Sequence, residues 1–264
     1  MRHAMIAAFV LTAPLAAQTR APGWGDELSP VVSPERLLAI GPRRSEPLDW
    51  PAPPLRQPPA HVRALYMNAW AFGGSRFWEL VRLADSTEVN SFVIDVKDDT
   101  GYLTYRSAVP TAIAIGANNQ LRARDAEARL RALHQRGIHA IARIVVAKDP
   151  LLARQKPAWS VQDSRGGLWR DRLDFAWVDA YNDSVWVYAA ELAAEAVRLG
   201  FSEVQFDYVR FPDEPRARMV YAVFPSRRGN ESARNAVSRN LRLLRDRGRH
   251  HEEDVSPEGH RQCP

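Results

Sequence analysis

Residues 91–97 read SFVIDVK, a mostly apolar run that has Asp95 inside it and Lys97 at its end. A short run rich in Val and Ile is typical of a strand that is buried on both faces, as in parallel sheets. A charged segment, DDT at 98–100, follows directly. These residues therefore predict one strand of a parallel sheet, with polar side chains at its carboxyl end.

Similar stretches lie on both sides of this strand and alternate with amphipathic helix patterns. The other predicted strands are 64–70, 138–146 and 203–209, and the predicted helices are 76–87, 124–136, 183–199 and 231–245. Gly137 and Gly200 follow two of these helices, and glycine commonly ends a helix. Because strands and helices alternate strictly, the sequence predicts an α/β fold, either a (β/α) barrel or an open doubly wound sheet.

The absence of two glycine motifs favours the barrel. Neither G-x-G-x-x-G nor G-x-x-x-x-G-K-[ST] follows a predicted strand, so the dinucleotide-binding and P-loop folds lose their main support. The predicted fold class is a (β/α) barrel of the TIM type, in residues 61–247. These residues supply only the first four β/α units, whereas eight units typically need about 250 residues. We therefore expect a partial barrel, truncated at the C-terminus, and a disordered tail at 248–264 that results from a truncation or a frame shift.

The N-terminus has the features of a secretory signal peptide. Arg2 precedes a short apolar run, and small residues follow it up to Ala17, where we expect cleavage. The run is too short to span a bilayer. Residues 18–60 form a predicted Pro-rich linker. The sequence therefore predicts a secreted or periplasmic protein of the cell envelope without a transmembrane span.

The charge and composition of the chain are compatible with most classes of globular protein but argue against a nucleic-acid partner. The chain has 36 basic and 31 acidic residues, a net charge of +5, and 45% hydrophobic residues, which is ordinary for a globular protein. The basic residues are spread along the chain and interleaved with Asp and Glu, so they predict no nucleic-acid partner. The single cysteine, Cys263, allows no intramolecular disulfide.

Polar and aromatic residues follow the predicted strands, which is where a barrel carries its chemistry. Charged side chains inside apolar strands are costly unless they are paired. Two interpretations therefore remain open for Asp95, Arg143 and Asp207. They neutralise one another in a structural ion-pair network, or they have a catalytic or binding role. Aromatic rings suit the apolar faces of sugars, although they can also simply cover the barrel mouth. Those in or beside these loops are Trp70, Tyr102, Tyr105, Trp159, Trp169, Trp177 and Tyr208.

Glycoside cleavage needs a carboxylate as nucleophile or base and a carboxylic acid that protonates the leaving oxygen. The sequence predicts Asp207 as the catalytic carboxylate. The candidate substrate-binding residues are Asp95, Lys97, Asp98, Arg143, Lys148, Tyr208, Arg210, Trp70 and Tyr102.

Three stretches carry a resemblance to a known family. They are VIDVKDDTGYLTY (93–105), IARIVVAKDPLLA (141–153) and EVQFDYVRFP (203–212). In this order they resemble a bacterial family of glycoside hydrolase domains of undetermined activity with a TIM-barrel fold. The resemblance implies that Asp207 is similar in position to the nucleophile of several retaining glycosidases. By this resemblance we expect the chain to depart from the family pattern after Pro212, and the general acid that a later strand should supply to be missing.

The leading prediction is an exported domain that hydrolyses glycosidic bonds in an envelope or extracellular polysaccharide or oligosaccharide, without a cofactor. One alternative is a non-catalytic carbohydrate-binding or structural envelope protein. Another is a metal-dependent hydrolase with oxygen ligands from Asp95, Asp98, Asp99 and Asp207; zinc is disfavoured because no His lies at these strand ends. The open edges of a partial barrel also predict self-association.

Overall fold

The computed structural model describes residues 58–255, and of residues 248–255 only the backbone. All of them belong to one compact unit, Trp50–Pro264. The predicted signal peptide, almost all of the predicted linker and the end of the predicted tail, with Cys263, lie outside the described residues.

Four parallel strands form the central sheet. Their order is β1 (Ala64–Met67), β2 (Ser91–Lys97), β3 (His139–Val145) and β5 (Glu203–Asp207), while β4 (Gln162–Asp163) and β6 (Ala222–Val223) pair as an antiparallel ribbon in the loops. Spatial order follows chain order throughout, whereas a doubly wound sheet reverses at a switch point. The predicted α/β fold with a parallel sheet is confirmed, and the strand order is that of a barrel arc.

Helices follow the strands. They are α1 (Ala69–Gly73), α2 (Arg76–Asp85), α3 (Pro110–Ala114), α4 (Ala126–Gln135), α5 (Pro150–Gln155), α6 (Asp183–Leu199), α7 (Arg216–Met219) and α8 (Ala233–Val255), with 3-10 turns at Ala117–Gln120 and Pro157–Trp159. The four predicted helices correspond to α2, α4, α6 and α8. Gly137 and Gly200 follow α4 and α6 with φ of 70° and 118°, a conformation that favours glycine. Helix α8 continues past the predicted domain end at Arg247.

The core lies on one face of the sheet. Alternate residues of β2 and β3 are fully buried in it, namely Phe92, Ile94, Val96, Ala140, Ala142 and Ile144. Burial of each large apolar side chain contributes about 1.5–3 kcal/mol. Because side chains of a strand alternate between faces, Asp95 and Arg143 lie on the opposite face. The sheet thus packs one face against the helices, and its other face carries the charged residues Asp95 and Arg143.

Two predicted strands end earlier than the sequence pattern indicates. Strand β1 ends at Met67 because Asn68 caps α1, with its Oδ1 accepting from the backbone N–H of Ala71 at 2.9 Å. Trp70 therefore lies on a helix. Strand β5 ends at Asp207 because Tyr208 has φ of 53°, a left-handed conformation that is incompatible with a strand.

No helix among residues 58–255 is both long enough and apolar enough to cross a bilayer.

Candidate active site

A single arginine joins two carboxylates at the carboxyl ends of three neighbouring strands. Arg143 of β3 lies beside Asp95 of β2, and Asp207 of β5 pairs in register with Val145. The Arg143 Nη1 donates to Asp95 Oδ1 at 2.6 Å, and its Nε and Nη2 reach Asp207 Oδ2 at 2.8 and 2.6 Å. The three charged residues that the sequence singled out therefore form one ion-pair network.

Tyr66 of β1 extends this network, and the sequence did not identify it. Its hydroxyl donates to Asp95 Oδ2 at 2.5 Å, and the Arg143 guanidinium lies 5.6 Å from its ring centre. The alternation of side chains between the two faces of a strand could have revealed it. Tyr66 pairs in register with Val93, which lies two residues before Asp95 and on the same face. We call Tyr66, Asp95, Arg143 and Asp207 the carboxylate network.

Burial distinguishes the two carboxylates. Asp95 is 2% exposed, and burial raises the pKa of its carboxyl, although hydrogen bonds from Tyr66 and Arg143 oppose the rise. Burial also lowers the pKa of Arg143, but its hydrogen bonds to both carboxylates outweigh this and raise it. The Asp207 side chain is 38% exposed. A substrate can therefore reach Asp207, whereas Asp95 acts on the site through Arg143.

Replacing Tyr66 with Phe tests the electrostatics of this network. Loss of the hydroxyl raises the pKa of Asp95 further, so the free energy of unfolding falls by about 1–2 kcal/mol near neutral pH. A raised native pKa makes the folded state less stable as pH rises, so the destabilisation is smaller at about pH 4 than near neutral pH, because Asp95 takes up a proton as pH falls. Denaturant unfolding at both pH values measures it. Tyr221→Phe, at a surface tyrosine stacked under Arg165, is the control. An equal loss of stability at both pH values would contradict the conclusion that the Tyr66 hydroxyl stabilises the charged form of Asp95.

Cations and aromatic rings form a wall beside Asp207. The Tyr208 ring centre lies 5.8 Å from that of Trp177, and the Arg210 guanidinium lies 5.0 and 5.3 Å from these two rings. Lys148 Nζ lies 4.4 Å from the Phe175 ring and 5.6 Å from that of Tyr208. We call these five residues the cation–aromatic wall. Three of the predicted site residues, Lys148, Tyr208 and Arg210, thus come together here.

Local hydrogen bonds hold the wall against Asp207. The backbone N–H of Tyr208 donates to Asp207 Oδ1 at 2.6 Å, and the left-handed backbone of Tyr208 fixes where its ring lies. Such a conformation costs on the order of 1–3 kcal/mol in a non-glycine residue and is typical of functional sites. Asp171, which the sequence did not identify, accepts from Trp177 Nε1 at 2.9 Å and from the backbone N–H of Phe175.

We call the surface at the carboxyl ends of the parallel strands the rim. Lys97 does not reach the rim, although the sequence predicted that it contacts substrate. It is 1% exposed, and its Nζ pairs with Asp149 Oδ2 at 2.6 Å. The register of β2 shifts between Asp95 and Lys97, which turns Lys97 toward the start of α5. A buried ammonium must be paired, so this residue has a structural role.

The remaining predicted residues make separate contacts at the rim. Asp98 accepts from the backbone N–H of Thr100 at 2.9 Å and shapes the turn after β2. Tyr102 is half-buried and packs against the core. Trp70 is 67% exposed, and the Arg122 guanidinium lies 3.8 Å from its ring centre.

The metal-dependent alternative finds no support within residues 58–247, the part of the chain whose side chains the structure describes. Here no group of three or more His, Cys, Asp or Glu side chains is placed to hold a metal ion. Three of the four carboxylates predicted as ligands have cationic partners instead. Asp95 and Asp207 share Arg143, and Asp99 pairs with Lys148 at 2.8 Å.

A cavity of about 350 Å³ lies away from this network. Its lining includes Tyr105, Arg106, Ala126 and Leu199, and none of the rim residues. The candidate site therefore rests on side-chain geometry at the strand ends and not on this cavity.

Comparison with known proteins identifies one family and related structures. The family described as "Putative glycosyl hydrolase domain" matches residues 64–257, which include the whole carboxylate network. Because the match extends past Pro212, the predicted departure from the family pattern after that residue is wrong. The crystal structure of a hypothetical protein from Ruminiclostridium thermocellum is 36% identical, with a TM-score of 0.61 over 69% of this chain and 91% of that chain.

Two glycosidases are more distant. They are α-L-fucosidase isoenzyme 2 from Paenibacillus thiaminolyticus (18% identity, TM-score 0.46, 74% of this chain and 31% of that chain) and an α-galactosidase from Thermus thermophilus (17%, 0.43, 70% and 36%). No curated protein matches the chain.

Proposed function

The chain belongs to the putative glycosyl hydrolase domain family, and on this basis we propose that it hydrolyses glycosidic bonds in an envelope or extracellular polysaccharide, with Asp207 as nucleophile or base. The observation that carries the proposal is the placement of Asp207. It is an accessible carboxylate at the carboxyl end of a parallel strand, held by Arg143 and by the backbone N–H of Tyr208, whose ring belongs to the cation–aromatic wall. Barrel enzymes place their catalytic groups at such strand ends.

The contacts of Asp207 suit attack on a sugar carbon or on a water molecule. Three N–H groups, two from Arg143 and one from Tyr208, fix both carboxylate oxygens. Fixed orientation lowers the barrier, because the reacting atoms must meet at about 3–3.5 Å with aligned orbitals. Arg143 is in turn held by Asp95, which Tyr66 holds. Arg143, Asp95 and Tyr66 are therefore positioning residues for Asp207.

The aromatic residues of the rim supply surfaces for the sugar. Tyr208 directly follows Asp207 and is half-buried against the buried Trp177, and Trp70 lies after β1 with a largely exposed ring. The apolar faces of pyranose rings pack on such surfaces, while the hydroxyl groups find polar partners at the edges.

A binding protein without turnover is the second candidate. Hydrolysis needs a carboxylic acid besides the nucleophile or base. The second carboxylate on Arg143 is the buried Asp95, which a sugar oxygen cannot reach. This burial favours binding over catalysis unless another residue donates the proton.

Incubation of the full chain with a panel of bacterial and plant polysaccharides tests the proposal. We expect new reducing ends from at least one polymer, at a rate that EDTA leaves unchanged. Arg143→Met, purified in parallel, should lower the rate by about 100-fold, since displacement of a catalytic group by about 1 Å has an effect of this size. Affinity electrophoresis is run beside it. Binding without reducing ends favours the second candidate, and loss of activity in EDTA favours a metal-dependent hydrolase.

Two further features stay part of the proposal. Export through the predicted signal peptide gives the chain access to polysaccharides of the envelope. Self-association is supported by the edge strands β1 and β5 of the described sheet, because unpaired N–H and C=O groups at a sheet edge can pair with another chain.

A further inference from the structure

We infer that the polysaccharide is acidic, and that Arg210 binds a sugar carboxylate beside Asp207. This inference rests on the proposed function and narrows it to one substrate class, the polymers that contain uronic acids. Arg210 would then be the residue that determines this specificity.

The charge balance of the rim separates Arg210 from its neighbours. Arg143 pairs with two carboxylates and Lys148 with Asp99, while the buried Lys97 below the rim pairs with Asp149. Arg210 is exposed, and within residues 58–247 no carboxylate pairs with it; its one hydrogen bond goes to the backbone oxygen of Phe211 at 3.4 Å. Arg210 is thus a cation of the cation–aromatic wall whose guanidinium remains able to bind a carboxylate.

The two rings beside Arg210 prepare it for an anion. Its guanidinium lies 5.0 Å from the Tyr208 ring centre and 5.3 Å from that of Trp177. Contact with aromatic rings restricts a guanidinium without using its N–H groups, which remain able to donate two parallel hydrogen bonds to a carboxylate. Such charge-assisted pairs are among the strongest hydrogen bonds in proteins. The wall therefore holds a preorganised carboxylate receptor.

The position of this receptor connects it to the reacting carboxylate. Tyr208 contacts Arg210 through its ring and Asp207 through its backbone N–H. A sugar at Asp207 therefore has Arg210 next to it or next to the adjoining unit of the polymer.

A second cation of the rim has the same environment. The Arg122 guanidinium lies 3.8 Å from the Trp70 ring centre, and its Nη atoms donate to the backbone oxygen and side chain of Gln120. No carboxylate pairs with it in the described part of the chain. Trp70 and Arg122 therefore offer a further place for a charged unit of an extended chain.

Matched polymers test the inference. The full chain is titrated with polygalacturonate, alginate and hyaluronan, and with the carboxyl-reduced form of each, in which every uronic acid has become a neutral sugar. We expect binding to at least one acidic polymer and weaker binding to its reduced form, by about ten- to hundredfold. Arg210→Gln should remove most of this preference, and Arg210→Lys should restore part of it. Arg216→Gln, at an exposed arginine of α7, is the matched control and should retain the preference.

Measurement of reducing ends in the same samples separates this inference from the proposed function. Equal affinity for acidic and reduced polymers, or an equal loss for both in Arg210→Gln, overturns the inference even if hydrolysis is observed. Binding that depends on Arg210 without any cleavage supports the inference as a binding specificity and overturns hydrolysis. Absence of both binding and cleavage with every polymer overturns the two together.

Discussion

Replacing Asp207 with Asn lowers the rate of polysaccharide cleavage by about three orders of magnitude, on the scale of losses when a catalytic group is removed from an enzyme. The amide keeps the size of the side chain but cannot attack a sugar carbon or deprotonate water. It retains an oxygen for Arg143, so we expect native circular dichroism and a stability loss of about 1 kcal/mol. Initial rates of reducing-end release measure the effect.

A nearby carboxylate provides the control for Asp207. Asp213 is exposed, and no ion pair holds it within residues 58–247. Asp213→Asn should therefore keep the wild-type rate. The anomeric configuration of the first product released by the unaltered chain distinguishes the two roles, because a nucleophile gives retention and a base gives inversion. An Asp207→Asn variant with the wild-type rate would remove Asp207 from the mechanism.

Replacing Asp149 with Ala destabilises the fold by about 3–5 kcal/mol, since it leaves the buried Lys97 ammonium without a partner. Asp149 is fully buried, and its other oxygen accepts from the backbone N–H of Leu152, which caps α5. A loss of this size is a large part of the roughly 5–15 kcal/mol that stabilises a typical domain. We expect a much lower midpoint in urea unfolding and poor soluble yield.

Milder and compensating variants keep this prediction testable. Asp149→Asn preserves the cap of α5 but removes the charge, so it should lower the free energy of unfolding less than Asp149→Ala does. Replacing Lys97 and Asp149 together with Met and Leu removes both buried charges, and the double variant should recover most of the stability. Glu79→Ala, which breaks the exposed pair of Glu79 with Arg76, should cost less than about 1 kcal/mol. If Asp149→Ala were as stable as Glu79→Ala, the buried pair would contribute little.

The parallel sheet and its helices could be predicted because their signals are local. The apolar run at 91–97 and the glycines after α4 and α6 report buried strands and helix ends without reference to the rest of the chain. The carboxylate network was also visible in part, because Asp95, Arg143 and Asp207 are charges inside apolar strands and such charges need partners.

The sequence-based predictions were wrong or incomplete where contacts depend on tertiary packing. Lys97 and Asp95 stand two residues apart in one strand, and simple alternation would give them the same face. The register shift in β2 separates them, so Asp95 contacts Arg143 while Lys97 is buried with Asp149. The ribbon of β4 and β6 was missed because its two-residue strands have no periodicity.

The sequence alone therefore determined the class of fold, the strands and the residues that need a partner, since these follow from burial and periodicity within about ten neighbouring positions. Only the tertiary structure decided which partners meet. Arg143 joins Asp95 and Asp207 across 48 and 64 positions of the chain, and Tyr66 reaches Asp95 across 29. Contacts at such separations depend on strand register and on the left-handed turn at Tyr208, which are set by the packing of the whole sheet and by no local pattern.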